Sequence, residues 1–366
     1  MFLTIVSFIL ILGLLVFVHE LGHFVLAKRA GIKVEEFGFG FPPRIFGIKK
    51  GETIYSLNLF PLGGFVKIYG ENGPEIEKGK PDPDKKRAFY NYPIAVRAKI
   101  LIAGVTMNFL LAVLLLGFGF WIGLPSVIDD DQIDNLNEVK VQVLQVSFDS
   151  PANLAGIKIG DAIKELKQNK ILSVNSVEQV QQFMDDYKGQ EITVVIQRGD
   201  EVIEKKVTPR IDYPEEQGPL GIALARTAIV SYPWYRAVVM GITSAFSLIW
   251  VITIALGSLF WQMITVGKLS MEIAGPVGIF DLAGQATHLG FIYVLQLTAI
   301  LSINLAILNL LPIPALDGGR LLFLGIEKIK GSPINLKTER IAQTIGFALL
   351  IVLMIAVTWR DVLRIF

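Results

Sequence analysis

Two of the three histidines of this 366-residue chain lie four residues apart, in the stretch HELGH at positions 19–23. Side chains four apart on a helix share one face, so His19 and His23 can bind one Zn²⁺ while Glu20 lies beside the water on the metal. Zinc lowers the pKa of that water toward neutrality, and a glutamate can accept its proton as a general base. The pattern therefore predicts a hydrolytic zinc site, with a buried His/Glu cluster that binds no metal as the alternative.

A catalytic zinc usually has three protein ligands and one open position. The chain has no cysteine, so the third ligand must be His, Asp or Glu. His288, in a predicted polar loop flanked by glycine, is one candidate, although this setting is more typical of an ordinary surface or interfacial histidine. Asp317 is the other, in NLLPIPALDGGR at positions 309–320, where two prolines end a helix and Gly318 and Gly319 are expected to form a turn. Taken alone, this stretch is more typical of a proline-terminated helix with an Asp-Gly cap, but a two-histidine motif that needs a third ligand favours Asp317.

The HELGH motif lies within a long apolar run, residues 2–27, which is long enough to span a bilayer. The chain is 52% hydrophobic and 18% charged, whereas soluble domains carry about a quarter charged residues, so a membrane protein with soluble parts is predicted. Four more apolar stretches lie at roughly 98–124, 234–266, 291–311 and 341–357. Ionisable residues inside such segments are rare and usually functional, which favours the metal site. The net charge of +1 gives no indication of nucleic-acid binding.

The polar region that follows the first apolar run, residues 28–97, is basic. The positive-inside rule therefore predicts that it lies in the cytosol and that the N-terminus lies outside. Two β-like runs, residues 52–60 and 64–70, are separated by the turn signal PLGG. Their apolar character predicts a β-hairpin that enters the membrane and lines a cavity. An ordinary small cytosolic β-domain explains the pattern equally well.

A second polar region begins with the acidic stretch DDDQIDNLNE and continues to about Arg226. Its pattern predicts strands at 139–146, 191–199 and 201–209 and a helix at 177–187, which together form a compact α+β module. The stretch SPANLAGIKIGD resembles a signature of bacterial PDZ domains. Such domains bind extended peptide ends by adding a strand to a sheet edge. The sequence leaves open whether this module binds a peptide or only excludes large substrate domains.

Taken together, these motifs identify a family resemblance that covers nearly the whole chain. The chain resembles the site-2 protease family of intramembrane zinc metalloproteases, in the bacterial regulator-of-sigma-E protease branch, with a single PDZ domain. The resemblance is carried by HELGH, GFGFPP, FPLGGFVKIYGE, the PDZ-like module and SINLAILNLLPIPALDGGRLLF. It implies zinc ligands at His19, His23 and Asp317, a catalytic base at Glu20, and substrate-binding residues at Asn309, Asn304, Gly63 and Gly64.

The implied fold is a polytopic α-helical membrane protein with about four spanning helices, a membrane-reentrant β-loop and an inserted α+β PDZ domain. Residues 1–124 form the first membrane half, 125–230 the PDZ domain with its linkers, 231–290 an interfacial or reentrant segment, and 291–366 the second membrane half. Because Asp317 must reach the depth of His19 and His23, an even number of crossings must lie between residues 124 and 291. The segment 234–266 is therefore predicted to lie at the interface or to re-enter. Its hydrophobicity suits a spanning helix equally well, and if it spans, Asp317 is not a ligand.

The resemblance implies a zinc metalloendopeptidase that cleaves single-pass membrane proteins, such as anti-sigma factors or remnant signal peptides, within or near the transmembrane segment. Its partners would be the lipid bilayer and a substrate whose C-terminus or ectodomain meets the PDZ domain. The enzyme would lie in the bacterial inner membrane, with its PDZ domain outside and its active site toward the cytosol. The alternatives are a membrane-anchored PDZ scaffold without proteolytic activity and an ion transporter. The apolar segments beyond the first are almost free of charges, which disfavours the transporter.

Overall fold

The computed structural model describes residues 1–73, 84–128, 137–214, 217–265 and 275–365. The chain divides into two compact units. The first consists of Met1–Gly117, Val238–Phe280 and Leu297–Phe366, and the second of Phe118–Ala237 and Asp281–Gln296. The HELGH and LDGG motifs both belong to the first unit.

Five helices in the described part of the chain are long and apolar enough to cross a membrane. They are α1 (Phe2–Arg29), α2 (Ile94–Ile122), α5 (Trp234–Thr265), α7 (Phe291–Leu310) and α9 (Leu336–Ile365). Each corresponds to one of the five predicted apolar stretches, and the most apolar part of each has a mean hydropathy between 2.1 and 2.7. The chain is accordingly a membrane protein. The number of helices that cross the bilayer stays a prediction, because length and composition suit all five.

Two long strands, β1 (Val34–Lys50) and β2 (Thr53–Ile68), follow α1. Residues 34–39 pair with residues 64–68 on one side, and residues 36–39 pair with residues 54–57 on the other. Phe37 therefore lies opposite both Val66 and Tyr55. The two runs predicted as neighbouring strands are thus parts of β2 that lie on opposite sides of β1, and the prediction was wrong in this respect. The chain does change direction near PLGG, where Gly63 has a φ of +123° that favours glycine.

A small apolar core lies where α1, β1, β2 and α2 meet α8 (Asp317–Lys330). It fixes these elements around the HELGH motif, because each contributes at least one buried side chain. Its fully buried or nearly buried members are Ala27, Ile32, Val34, Ile68, Phe89, Ile100, Leu101 and Leu324. An ion pair of 2.6 Å between Arg97 at the start of α2 and Glu327 of α8 joins the same elements.

Two predictions of turns or loops were wrong, because both segments are helical. Gly318 and Gly319 belong to the first turn of α8, where a Cβ on either would collide with a backbone carbonyl oxygen, that of Leu311 or Ile313. The two glycines therefore permit close backbone packing rather than a turn. His288 lies near the end of α6 (Pro276–Leu289), where its side chain is exposed.

The second unit contains a seven-stranded sheet with the order β3-β9-β4-β5-β7-β8 and with β6 paired to β5. The strands are β3 (Leu124–Val127), β4 (Asn137–Val146), β5 (Ala162–Lys167), β6 (Ile171–Ser173), β7 (Ile192–Arg198), β8 (Glu201–Val207) and β9 (Ile222–Val230). The helices are α3 (Pro151–Leu154) and α4 (Val177–Asp186).

The predicted strands and helix of this module correspond to β4, β7, β8 and α4, and α4 begins with a capping box between Ser176 and Gln179. An apolar core that includes Val143, Leu166 and Ile196 lies beneath the sheet. Residues 129–136 of the acidic stretch lie outside the described residues.

Candidate metal centre

Three side chains from α1 and α8 bring one potential ligand atom each to a single point. His19 Nε2 lies 3.0 Å and His23 Nε2 3.2 Å from Asp317 Oδ2, and the two imidazole nitrogens are 3.2 Å apart. Ligands at about 2.0–2.1 Å from a tetrahedral zinc lie roughly 3.3–3.4 Å from one another. The triangle therefore fits one face of a zinc coordination sphere. Among the described residues, this is the one group of three or more such side chains with converging ligand atoms.

Close packing of α1 on α2 holds the two imidazoles in place. A Cβ on Gly104 of α2 would lie 2.5 Å from His23 Nε2 and 2.6 Å from His19 Cε1. A Cβ on Gly22, between the two histidines, would collide with the backbone of Ala103. Both glycines are therefore required for the distance between these helices. Neither Gly104 nor its role is signalled by a motif in the sequence.

The imidazole of His23 has a defined tautomer. Its Nδ1 lies 2.8 Å from the carbonyl oxygen of Ile100, which can only accept, so the Nδ1–H group donates this hydrogen bond. In the neutral imidazole, the lone pair of Nε2 is then directed toward His19 and Asp317. This is the arrangement in which a histidine binds a metal through Nε2.

Glu20 lies on α1 between the two histidines and contacts β2. The backbone N–H of Val66 donates a hydrogen bond of 3.1 Å to Glu20 Oε2. A Cβ on Gly64 would lie 2.9 Å from the carbonyl oxygen of Gly38 and 3.9 Å from Glu20 Cγ. Glycine at residue 64 therefore permits the close pairing of β2 with β1 at Gly38, whereas the distance to Glu20 would be an ordinary contact.

A cavity of about 320 Å³ opens onto the three-residue cluster. Glu20, Asn309 and the β2 residues Phe65 and Val66 contribute to its lining. Asn304 lies on the same helix as Asn309 but is absent from this lining. Of the residues proposed from the sequence, the structure thus brings His19, His23, Glu20, Asp317 and Asn309 together, with Gly63 and Gly64 in the adjacent bend of β2.

Two charged residues that were not predicted from the sequence, Arg320 and Glu71, also line the cavity. Arg320, one turn after Asp317, forms an ion pair with Glu71 just beyond β2. Arg340 of α9 donates to the carbonyl oxygen of Asn72 at 2.7 and 3.0 Å. These contacts connect the segment that follows β2 to α8 and α9.

The segment before Asp317 is held by α9. Ala315 has a φ of +80°, and its N–H donates a hydrogen bond to the side-chain oxygen of Gln343. Three residues later along α9, Gly346 packs against the backbone of Pro314, where a Cβ would collide with the carbonyl oxygen. The position of Asp317 therefore depends on α9 as well as on α8.

Comparison with known proteins gives a consistent assignment. Residues 7–353 match peptidase family M50. The regulator of sigma-W protease RasP of Bacillus subtilis is 33% identical over an alignment of 439 positions, gaps included, which covers 99% of each chain. The zinc metalloprotease RasP of Oceanobacillus iheyensis is 34% identical, over 99% of this chain and 99% of its own. The zinc metalloprotease RasP of Geobacillus kaustophilus is 30% identical, over 99% of this chain and 98% of its own. The resemblance inferred from the motifs is confirmed: the chain belongs to peptidase family M50, the site-2 protease family.

Proposed function

We propose that the chain cleaves membrane proteins within or near their transmembrane segments, with His19, His23 and Asp317 as zinc ligands and Glu20 as general base. The observation that carries this proposal is the triangle of ligand atoms, 3.0–3.2 Å on a side, next to Glu20. Membership of peptidase family M50 and relatives named zinc metalloprotease support the same chemistry. The chain is a zinc metalloprotease.

When bound, Zn²⁺ supplies a Lewis acid that activates water and polarises the scissile carbonyl group. Glu20 accepts the proton of the attacking water and returns it to the leaving amine. The Val66 N–H donates to Oε2 of Glu20 and so orients the carboxylate. Asn309 lines the same cavity, where its amide group can form hydrogen bonds with the substrate backbone. Asn304 is assigned a similar role only by the family resemblance.

A transmembrane helix shields its own peptide bonds through internal hydrogen bonds, so the substrate must unwind before it is cleaved. Among the described residues, the β2 segment 64–68 pairs with β1 on one side only, and its other side faces Glu20 and the cavity. An unwound substrate can add there as a further strand. Gly63 and Gly64 lie at the start of this segment, and their role in substrate binding is assigned only by the family resemblance. Exposed apolar side chains on the loop, including Phe46 and Phe60, support immersion of this loop in the membrane.

The module in the second unit is proposed to be a PDZ domain. Residues 222–225 of β9 pair with β4 on one side. On the other side, β3 and the following Ile128 contact only residues 226–230 among the described residues. A groove of about 280 Å³ lies between this uncovered edge and α4, with Met184, Leu220 and Leu224 in its lining. A strand edge beside a helix is suited to binding an extended peptide, and the same domain can limit the size of the substrate ectodomain.

The sidedness and span number also remain proposals, as do the domain boundaries at residues 124, 230 and 290. Helix α5 has exposed tryptophans at positions 234, 250 and 261, residues that favour the membrane interface. This supports four spans, an interfacial or reentrant α5, an extracytoplasmic PDZ domain and an active site near the cytosol. Cysteine labelling near Ser270, which lies outside the described residues, tests this topology. A cytosolic position for residue 270 would refute it.

The name of the B. subtilis relative, regulator of sigma-W protease, supports membrane-protein substrates such as anti-sigma factors. Remnant signal peptides are a second substrate class that the proposal includes.

The decisive variant for the reaction is Glu20→Gln. We expect it to bind zinc as the wild type does but to cleave a model single-pass substrate about 10²–10⁴-fold more slowly, the usual contribution of a general base. Glu178→Gln, on the exposed face of α4, is the matched control and should cleave normally. Undiminished cleavage by Glu20→Gln would refute the assigned base. Peptide binding without cleavage by the wild type would favour the PDZ scaffold instead.

A further inference from the structure

One fully buried polar side chain near the metal centre is neither a proposed zinc ligand nor part of the proposed proton transfer. Asn108 lies on α2, one turn after Gly104, and has no solvent exposure. Its side-chain nitrogen is placed 3.3 Å from His19 Nδ1. Its side-chain oxygen has no hydrogen-bond partner among the described residues.

The backbone around Asn108 is fixed independently of this side chain. The hydroxyl group of Ser302 on α7, also fully buried, donates a hydrogen bond of 2.8 Å to the carbonyl oxygen of Asn108. Helix α7 therefore holds the backbone of Asn108 in place beside His19. The side chain is not exposed to solvent, so an unpaired amide oxygen there is destabilising.

The two histidines differ in what their second nitrogen contacts. His23 donates its Nδ1–H to the carbonyl oxygen of Ile100. For His19 to bind a metal through Nε2, its Nδ1 must carry a proton, and that proton needs an acceptor. The amide group of Asn108 is the polar group beside it. With the amide nitrogen facing Nδ1–H, two donors would face each other.

The oxygen and nitrogen of an asparagine amide are assigned from their hydrogen bonds rather than from shape. Rotation of the Asn108 amide group by 180° exchanges the two atoms. The oxygen then faces Nδ1–H of His19, so that one rotation removes both the unpaired acceptor and the contact between two donors.

We propose that Asn108 is a positioning residue whose side-chain oxygen accepts a hydrogen bond from Nδ1–H of His19. It thereby holds the imidazole in the tautomer and orientation that direct Nε2 toward Asp317. The inference rests on the proposed zinc site. It adds to the three proposed zinc ligands a buried polar residue that contacts one of them, His19. Partners of this kind typically contribute 10–100-fold to metal affinity.

The first test measures zinc affinity of the full-length protein by competition with a chelator. Asn108→Leu, which keeps the volume and removes the acceptor, should bind Zn²⁺ about 10–100-fold more weakly. Asn108→Asp retains an acceptor and should recover most of that loss. Thr106→Val, which removes an exposed hydroxyl group from the same helix, is the control and should bind as the wild type does. Wild-type affinity in Asn108→Leu would overturn the proposal.

The second test needs no variant to fold. The chain has only three histidines, so an imidazole ¹⁵N spectrum of the zinc-loaded protein contains few signals. We expect His19 to carry its proton on Nδ1, in slow exchange with solvent. An unprotonated Nδ1 would overturn the role of Asn108. If the wild type bound no zinc, or if His19→Ala bound it equally well, the zinc site itself would be refuted, so the two failures are distinguishable.

Discussion

Gly104 is the position at which one added methyl group should disturb the metal centre most directly. In Gly104→Ala the new Cβ would lie 2.5 Å from His23 Nε2, 2.6 Å from His19 Cε1 and 2.8 Å from His19 Nε2. These separations are well inside van der Waals contact. Either the imidazoles must rotate away from Asp317 or α2 must move away from α1.

Movement of the helices would break the adjacent contact, in which Gly22 packs on the backbone of Ala103. We therefore expect most of the strain to appear at the imidazoles. Overpacking of a close contact costs about 1–3 kcal/mol. If the whole of this cost weakens zinc binding, the dissociation constant for zinc rises roughly 5- to 150-fold.

The assay is zinc competition on the purified full-length protein, together with cleavage of a model membrane substrate at limiting and saturating zinc. Excess zinc should restore part of the cleavage if weakened binding is the main defect. Gly257→Ala is the matched control, because Gly257 lies in the apolar helix α5 and has no atoms within 4 Å of an added Cβ. It should bind zinc normally. Wild-type zinc affinity in Gly104→Ala would refute the packing argument.

Two further perturbations test how the rest of the first unit supports the site. Gly346→Ala should push the Pro314 backbone away from α9. We expect it to weaken zinc binding by about tenfold, equivalent to about 1.4 kcal/mol. Gly325→Ala is its control, because no atoms lie within 4 Å of the new Cβ. The guanidinium of Arg87 and the ammonium of Lys28 hold the pKa of the Glu52 carboxyl at about 2, below its ordinary value of 4.5. This ion pair therefore stabilises the fold above about pH 4.5 and is lost as the pH falls toward 2. A melting-temperature series should show a smaller loss of stability over this interval for Glu52→Gln than for the wild type; equal losses would contradict the assignment.

The parts of the site that the sequence predicts are those encoded by local spacing. His19, Glu20 and His23 occupy one short helical segment, and their polarity is conspicuous within an apolar run. Asp317 is 298 residues away from His19, so its inclusion depended on a ligand count and on the resemblance of its surrounding motif to a known family. The comparisons confirm that family, and the geometry brings the aspartate into contact with both histidines.

The parts that the sequence does not predict depend on contacts between distant segments. Gly104 and Asn108 lie on one face of α2, but the residue types of this apolar helix do not show that this face packs on His19 and His23. The pairing of β1 with two separate parts of β2 is equally hidden, because alternation along a strand does not say which strand lies beside it. The two glycines of LDGG have the composition of a turn, yet they are helical because the preceding carbonyl groups pack directly against them.

The central claim is that His19, His23 and Asp317 together hold one catalytic zinc. It is tested most directly by the metal content of the purified full-length chain beside that of Asp317→Ala, with each protein dialysed against the same low concentration of free zinc. We predict one equivalent of zinc in the wild type and little in the variant. An Asp317→Ala chain that keeps a full equivalent of zinc at wild-type affinity would contradict the account.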